Sequence, residues 1–264
     1  MKKYWYIARN TWDQTFAYRI SFVIWRLRSI LQVLTLYFLW LVMLPRNATF
    51  GGYNQSLMLT YILGTSLINS IVFSSKTFAI ADEINEGTLS AYLLRPMNYF
   101  SYIFVRDLGD KALNVIFSFV ELAILFFLLR PPFFIQTNPM YLTLFLLSVV
   151  LSVALYFLFS VLLGFMGFWS RDTWGPRFIF MQLLTFFAGG LFPLDLLPRP
   201  VYIVAEALPF TYLLYFPIKI YLGQLSFLQL AQGLFISGVW VLSMYGVVTF
   251  VWRRGLRTYA AEGS

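Results

Sequence analysis

Residues 140–169, MYLTLFLLSVVLSVALYFLFSVLLGFMGFW, decide the fold class, because this run contains no charged side chain. A helix needs about 20 apolar residues to cross the hydrocarbon core of a bilayer, and this run is longer than that. We therefore predict a membrane-spanning helix that is tilted or projects beyond the bilayer. Other apolar runs fill much of the remaining chain, which indicates several crossings.

The composition supports a membrane protein. Of the 264 residues, 60% are hydrophobic and 11% are charged, whereas about 25% are charged in a soluble domain. The chain has no cysteine and no histidine, which excludes disulfides, thiolate nucleophiles, imidazole bases and His/Cys metal sites. The net charge of +8 comes from cations that mostly adjoin apolar runs, as the positive-inside rule predicts, so we expect no nucleic-acid partner.

These patterns predict an all-α polytopic membrane protein with six transmembrane helices. The predicted spans cover residues 30–44, 57–79, 112–129, 140–169, 178–192 and 225–252. Both termini are then predicted to be cytoplasmic, because this topology places most cations on the inner side. The cations left on the outer side are Arg46, Arg130, Arg199 and Lys219.

The N-terminal residues 3–19 are predicted to form an amphipathic helix lying in the plane of the membrane surface. Polar residues occupy one side of this helix, among them Arg9, Asn10 and Asp13. The opposite stripe consists of Tyr4, Ile7, Ala8, Thr11, Trp12 and Thr15.

Helix breakers concentrate between the fifth and sixth predicted spans. Residues 189–200 read GGLFPLDLLPRP, and the apolar stretch that follows also contains Pro209 and Pro217. Interrupted backbone at membrane depth is tolerated only where protein or water satisfies it. We therefore predict re-entrant helices over residues 193–223 at the outer side.

A charged segment, ADEINEGTLSAYLLRP at residues 81–96, lies between the second and third predicted spans. As one helix it would place Glu83, Glu86 and Ser90 on one face. Leu89, Tyr92 and Leu93 would lie on another. Such a helix fits a groove on a partner protein, and the alternative is a surface helix that only connects two spans.

Glu121 lies near the middle of the third predicted span. A charged side chain facing lipid at that depth costs about 2.5–3.5 kcal/mol on insertion scales, so Glu121 should face protein or water. It is a candidate for a translocation path, either as a packing or cavity residue or as a proton site.

Three features in order along the chain resemble the membrane subunits of type-2 ATP-binding cassette exporters. The first is the amphipathic start, and the second is INEGTLSAYLLRP at residues 84–96. The third comprises GLFP at 190–193, LP at 197–198 and LPFTY at 208–212, before Gly223. The resemblance extends over essentially the whole chain.

The resemblance implies a permease subunit without enzyme activity or a cofactor of its own, which exports an amphipathic or hydrophobic compound. ATP and Mg²⁺ would bind to a separate ATPase subunit, and a second permease subunit would complete a dimer in the plasma membrane, in bacteria the inner membrane. Residues 81–98 would form the coupling helix. Its partner-binding residues would be Glu83, Ile84, Glu86, Gly87, Leu89, Tyr92, Leu93 and Arg95.

Two other classes of function remain open from the sequence. An ion-coupled transporter or channel would use Glu121 as its intramembrane acid. An integral-membrane transferase is disfavoured, because the polar residues do not cluster in one aqueous mouth.

Overall fold

The computed structural model of the protein describes residues 2–45, 48–75 and 77–259, with the side chains of residues 2–4 excepted. The predicted outer position of Arg46 and the place of the Tyr4 side chain on the N-terminal stripe lie outside the described residues. Within them the chain is mostly helical.

Eleven helices can be followed in the described residues, together with one antiparallel β-hairpin and three short 3-10 turns. The helices before the hairpin are α1 (Lys2–Ala17) and α2 (Arg19–Met43), and the hairpin strands are β1 (Thr49–Phe50) and β2 (Tyr53–Asn54). Then follow α3 (Gln55–Val72), α4 (Ala79–Asn85), α5 (Leu89–Leu93), α6 (Tyr99–Leu129), α7 (Pro139–Gly164), α8 (Trp174–Phe187), α9 (Arg199–Ala207), α10 (Tyr215–Tyr221) and α11 (Phe227–Thr258). The 3-10 turns are Phe165–Phe168, Leu194–Leu196 and Pro209–Tyr212.

Five helices in the described part of the chain are long and apolar enough to cross a membrane: α2, α3, α6, α7 with its 3-10 extension, and α11. The protein is therefore a polytopic all-α membrane protein. Helices α3 and α7 form the centre, since about half of each span is buried inside the molecule. The other three helices, α2, α6 and α11, expose most of their surface on the outside of the bundle.

Helix α8 begins and ends earlier than the span predicted at residues 178–192, and it is too short to cross a bilayer by itself. It has 14 residues and a length of about 21 Å at 1.5 Å per residue, less than the roughly 30 Å hydrocarbon core. The helix ends because Gly189 adopts a left-handed conformation with φ 78°. The hydroxyl of Tyr61 on α3 donates to the carbonyl of Gly189 at 2.6 Å, which holds this break against the centre of the bundle.

Helix α6 begins well before the predicted start of the third span. The span is predicted to begin at residue 112, but residues 99–111 already form the first turns of a continuous helix of 31 residues. The Asn98 side chain caps it by accepting from the backbone N–H groups of Phe100 and Ser101. At about 46 Å the helix exceeds the bilayer core, so its charged first turns extend beyond the apolar span.

Helix α3 ends at Val72, before the boundary predicted at residue 79. Lys111 of α6 is buried and donates to the carbonyl oxygens of Val72, at 2.9 Å, and Ser74. These bonds satisfy carbonyl groups that a helix end leaves without an intrahelical partner. The end of α3 is therefore fixed by α6.

Helix α1 packs against the start of α6. The Trp12 indole N–H donates to the Gly109 carbonyl at 2.7 Å, and a Cβ added at Gly109 would lie 3.1 Å from the Cα of Ala8. The less exposed side of α1 is the predicted stripe from Ile7 to Thr15. That stripe faces α6, and the position of α1 in the membrane plane stays a prediction.

A buried ion pair organises the end of the molecule that contains α9 and α10, which we call the α9–α10 end. Lys219 on α10 is 6% exposed, and its ammonium group lies 2.7 Å from both Asp195 Oδ2 and Gln224 Oε1. Tyr53 of the β-hairpin accepts from Lys219 at 3.0 Å and donates to Asp195 at 3.1 Å. Burial and the nearby Asp195 raise the pKa of Tyr53, so its hydroxyl stays protonated.

We predict that Asp195→Ala destabilises the protein more than Lys219→Met. The first change leaves an ammonium group buried without its carboxylate, which typically costs about 3–5 kcal/mol. The second leaves a carboxylate that is 27% exposed and still bonded to Tyr53. Thermal unfolding of both variants and of the double variant in detergent measures this order, and the reverse order would contradict the assignment.

Candidate functional site

The charged segment forms two short helices joined by a turn, and we call residues 79–95, which include the two residues after α5, the α4–α5 segment. Helix α4 ends at Asn85, and Gly87 has a left-handed conformation with φ 74°, which glycine adopts without steric penalty. The Ser90 hydroxyl donates to the Gly87 carbonyl at 2.7 Å. The prediction of Glu83, Glu86 and Ser90 on one helical face is therefore wrong, because the turn interrupts the helical period.

Glu83 points into the molecule. It is 8% exposed, and its carboxylate lies 2.5 Å from the Arg106 guanidinium and accepts from the Tyr99 hydroxyl at 2.5 Å. Both partners belong to α6. Glu83 thus joins α4 to α6, and the prediction that it binds a partner protein is corrected by its burial.

Two apolar members of the predicted partner set are also buried. Ile84 is packed in the main hydrophobic core together with Leu89, which has no exposed surface. Tyr99 stacks on Trp252 of α11 beside them, with ring centroids 5.3 Å apart. Ile84 and Leu89 therefore support the segment from behind, which corrects their predicted place on its outer surface.

Helix α4 also lies directly on the end of α7. A Cβ added at Gly167 would lie 2.9 Å from the Cα of Ala81, and one added at Gly164 would lie 2.8 Å from the Cβ of Ile80. These glycines are not among the residues predicted from the sequence to form the site. Their spacing in LLGFMGF at 162–168 was the available signal, since small residues allow backbones to approach closely.

The turn between α4 and α5 is bound to the end of α11. The Tyr259 hydroxyl donates to the Gly87 carbonyl at 2.9 Å and accepts from the Ser90 backbone N–H at 3.2 Å. The Asn85 amide donates to the Arg171 carbonyl at 3.1 Å. No motif in the sequence indicated Tyr259, because this contact depends on the tertiary fold.

The outer surface of the α4–α5 segment combines an apolar centre with charges of both signs. Leu93 is 43% and Leu94 87% exposed. Glu86 and Arg95 are exposed on either side of them in the sequence, and the Arg95 guanidinium lies 4.7 Å from the centre of the half-buried Tyr92 ring. Of the predicted partner residues, Glu86, Leu93 and Arg95 are exposed, whereas Gly87 and Tyr92 are half-buried.

The acidic residues at the start of α6 are engaged by neighbouring groups. Asp107 lies 3.4 Å from the Lys111 ammonium and accepts from the Ser75 hydroxyl. Asp110 accepts from the Asn114 amide at 3.1 Å. Over the residues that the structure describes, no group of three or more acidic, His or Cys side chains is arranged to hold a metal ion.

Glu121 has a cationic partner that the sequence reasoning missed. Arg26 of α2 lies 3.4 Å from its carboxylate and donates to the Ser118 hydroxyl at 3.0 Å and to the Asn114 side chain at 2.9 Å. Helix α2 begins at Arg19, well before the span predicted from Ile30. This extension carries Arg26 to the side of α6, where the pair reduces the cost of placing either charge in an apolar helix.

We predict that Glu83→Ala lowers the free energy of unfolding by about 3–5 kcal/mol, because it removes the carboxylate that pairs with the largely buried Arg106 guanidinium. The matched control is Glu86→Ala, which removes an exposed carboxylate three positions away and should change stability by less than about 0.5 kcal/mol. Adding Arg106→Met to Glu83→Ala should recover part of the loss. Thermal unfolding in detergent checks these values, and equal effects of the two alanine variants would contradict the buried pair.

Most of the chain matches a known family of membrane proteins. No curated protein matches the sequence. A family model described as ABC-2 family transporter protein matches residues 30–263, a range that contains the α4–α5 segment and all five long apolar helices apart from the start of α2. The resemblance to permease subunits of type-2 ATP-binding cassette exporters is thereby confirmed, and the chain belongs to the ABC-2 family of transporter proteins.

Proposed function

We propose that this permease exports an amphipathic or hydrophobic compound with energy from ATP that a separate subunit binds with Mg²⁺ and hydrolyses. The observation that carries the proposal is the α4–α5 segment, which has an exposed apolar and charged surface and a rear side bound to three long helices. A surface of this kind is suited to receive a partner and pass its movement to the bundle.

The ATPase would contact the segment through Leu93 and Leu94. Apolar side chains that fill a pocket supply most of the binding energy of an interface, whereas charges at its rim chiefly set orientation and association rate. Glu86 and Arg95 occupy such rim positions. The half-buried Tyr92 stacks beneath Arg95 and holds it in place.

Movement of the segment would reach the bundle through three attachments. The first is the Glu83–Arg106 pair to α6, the second is the close backbone contact at Gly167 to the end of α7, and the third is Tyr259 on α11. Close-packed groups transmit displacement with little compression. A push on α5 would therefore move the ends of α6, α7 and α11 together.

The α4–α5 side of the bundle would face the cytoplasm. Exposed arginines on this side include Arg95, Arg171, Arg253 and Arg254, and cations concentrate on cytoplasmic loops. The α9–α10 end would then be the outer end, both termini would be cytoplasmic, and α8 with its outer turns would serve as a sixth span. The membrane would be the bacterial inner membrane.

A second permease subunit would complete the transporter. Helix α2 buries only Val33, Tyr37 and Trp40 among its described residues, and α8 buries only Leu184. Both helices thus have wide apolar faces for a second subunit or lipid. The ion-coupled alternative receives less support, because Glu121 is ion-paired with Arg26 instead of standing alone.

We predict that Leu94→Asp abolishes association with the ATPase while the protein still inserts and folds. The change places a charge at the centre of the proposed interface and alters no buried contact. Co-purification and ATP hydrolysis in vesicles measure the effect. Ile135→Asp, which changes another exposed apolar residue at the opposite end, is the matched control and should leave both unchanged. If a folded Leu94→Asp variant still binds the ATPase and hydrolyses ATP normally with it, the α4–α5 segment only connects two spans.

We predict the orientation from single cysteines placed in the cysteine-free chain. Cysteines at Thr137 and Arg199, both exposed near the α9–α10 end, should react in intact cells with a membrane-impermeant thiol reagent. Cysteines at Ala91 and Arg254 should react only after the membrane is opened. The inverted pattern would refute the cytoplasmic position of the α4–α5 segment.

A further inference from the structure

A groove lined by polar side chains opens between α2, α3 and the glycine turn that follows α8. Its polar lining comes from Ser29 and Gln32 on α2 and from Thr65, Ser66 and Asn69 on α3, and Gly190 lies at its margin. An adjoining cavity shares Ser29 and Ser66 with the groove and continues to Ser118 and Glu121 on α6. Polar groups of three helices therefore line the groove and the adjoining cavity, beside apolar residues such as Ile30 and Leu122.

The helical spacing explains why these groups share one groove. Ser29 and Gln32 are three residues apart on α2, as are Ser66 and Asn69 on α3, so each pair lies on one face of its helix. Gln32 and Asn69 are exposed, and neither side-chain amide forms a hydrogen bond to the described part of the chain. Both helices otherwise have the apolar composition of membrane spans.

Lipid tails cannot satisfy these amides, because the hydrocarbon core has no hydrogen-bonding groups. Exposed amides within spans therefore require water, protein or a polar ligand beside them. The side chains of Val33, Leu36 and Ile62 line the same groove. The groove thus offers hydrogen bonds and apolar contact together.

The charges of the adjoining cavity compensate each other. Glu121 lies 3.4 Å from Arg26, and the other polar groups lining the described groove are hydroxyls and amides, which both donate and accept hydrogen bonds. A ligand with a net charge would find no unpaired countercharge here. An uncharged polar group would find several partners.

We propose that this groove binds the uncharged hydroxyl- or amide-bearing part of the exported compound, while Leu36 and the edge of Val33 contact its apolar part. The proposal rests on the proposed export function and specifies the class of compound. A second copy of the chain covering the groove is the competing occupant.

The test uses single cysteines in the full transporter, in inside-out vesicles containing the ATPase subunit. Gln32→Cys and Asn69→Cys should react with a small water-soluble thiol reagent at least roughly tenfold faster than Leu31→Cys, because the reactive thiolate forms only in water. Leu31 is the matched control, since it is 63% exposed and lies only about 1.5 Å away along the axis of α2. Equal rates at Gln32→Cys and Leu31→Cys would overturn the proposal.

Three probes with the same octyl chain then test the chemical class. Below its micellar concentration, octyl glucoside should slow the labelling of Gln32→Cys and Asn69→Cys, whereas octyl sulfate and octyltrimethylammonium should not. Equal protection by a charged probe, or no protection by any probe, overturns the uncharged ligand. If Gln32→Cys is not labelled and instead forms a cross-link between two permease chains, a second copy of the chain covers the groove. That result overturns the proposed ligand.

ATP hydrolysis measured in the same vesicles separates this inference from the function on which it rests. Normal coupled hydrolysis with an unreactive Gln32→Cys would overturn the groove and leave the exporter intact. Selective protection by octyl glucoside without any coupled hydrolysis would support the groove and overturn the ATP-driven export.

Discussion

The Glu83–Arg106 pair is the interaction on which the candidate site depends. A buried carboxylate and guanidinium each lose their hydration, so the pair persists only when geometry and further hydrogen bonds compensate. Here the Tyr99 hydroxyl supplies the second bond to Glu83. The pair fixes α4 on α6, and beyond the turn at Gly87 the chain reaches the exposed Leu94.

Ion pairs that are at least partly buried recur at the junctions between elements. Arg26–Glu121 joins α2 to α6, and Lys219–Asp195 joins α10 to the turn before α9. Apolar helices gain little from choosing one apolar neighbour over another in lipid, so polar contacts and close packing decide which helices associate. In this chain, whose charged residues are few, the paired charges thus specify the arrangement that hydrophobicity leaves open.

Hydropathy was sufficient to predict most of the helical bundle, because a long apolar run such as α7 has no other stable environment. It failed where charges are buried. The predicted third span begins only after Arg106 and Lys111, because the partners that allow these charges to be buried, on α4 and at the end of α3, are distant in the sequence. Glu86, Leu93 and Arg95 are exposed, as a partner-binding role requires, and that role stays a prediction. The inward direction of Glu83 could not be predicted, because it depends on Arg106 and Tyr99 of α6.

The bond between Tyr259 and Gly87 spans 172 positions of the chain, and this separation has a consequence for biosynthesis. Membrane helices leave the ribosome in order from the N-terminus, so α4 and α5 are made long before α11. Until α11 arrives, the turn at Gly87 lacks its hydroxyl partner, and Tyr99 lacks the Trp252 ring that stacks on it. The surface of the α4–α5 segment therefore matures last, so that a nascent or truncated permease does not yet display it in its final form.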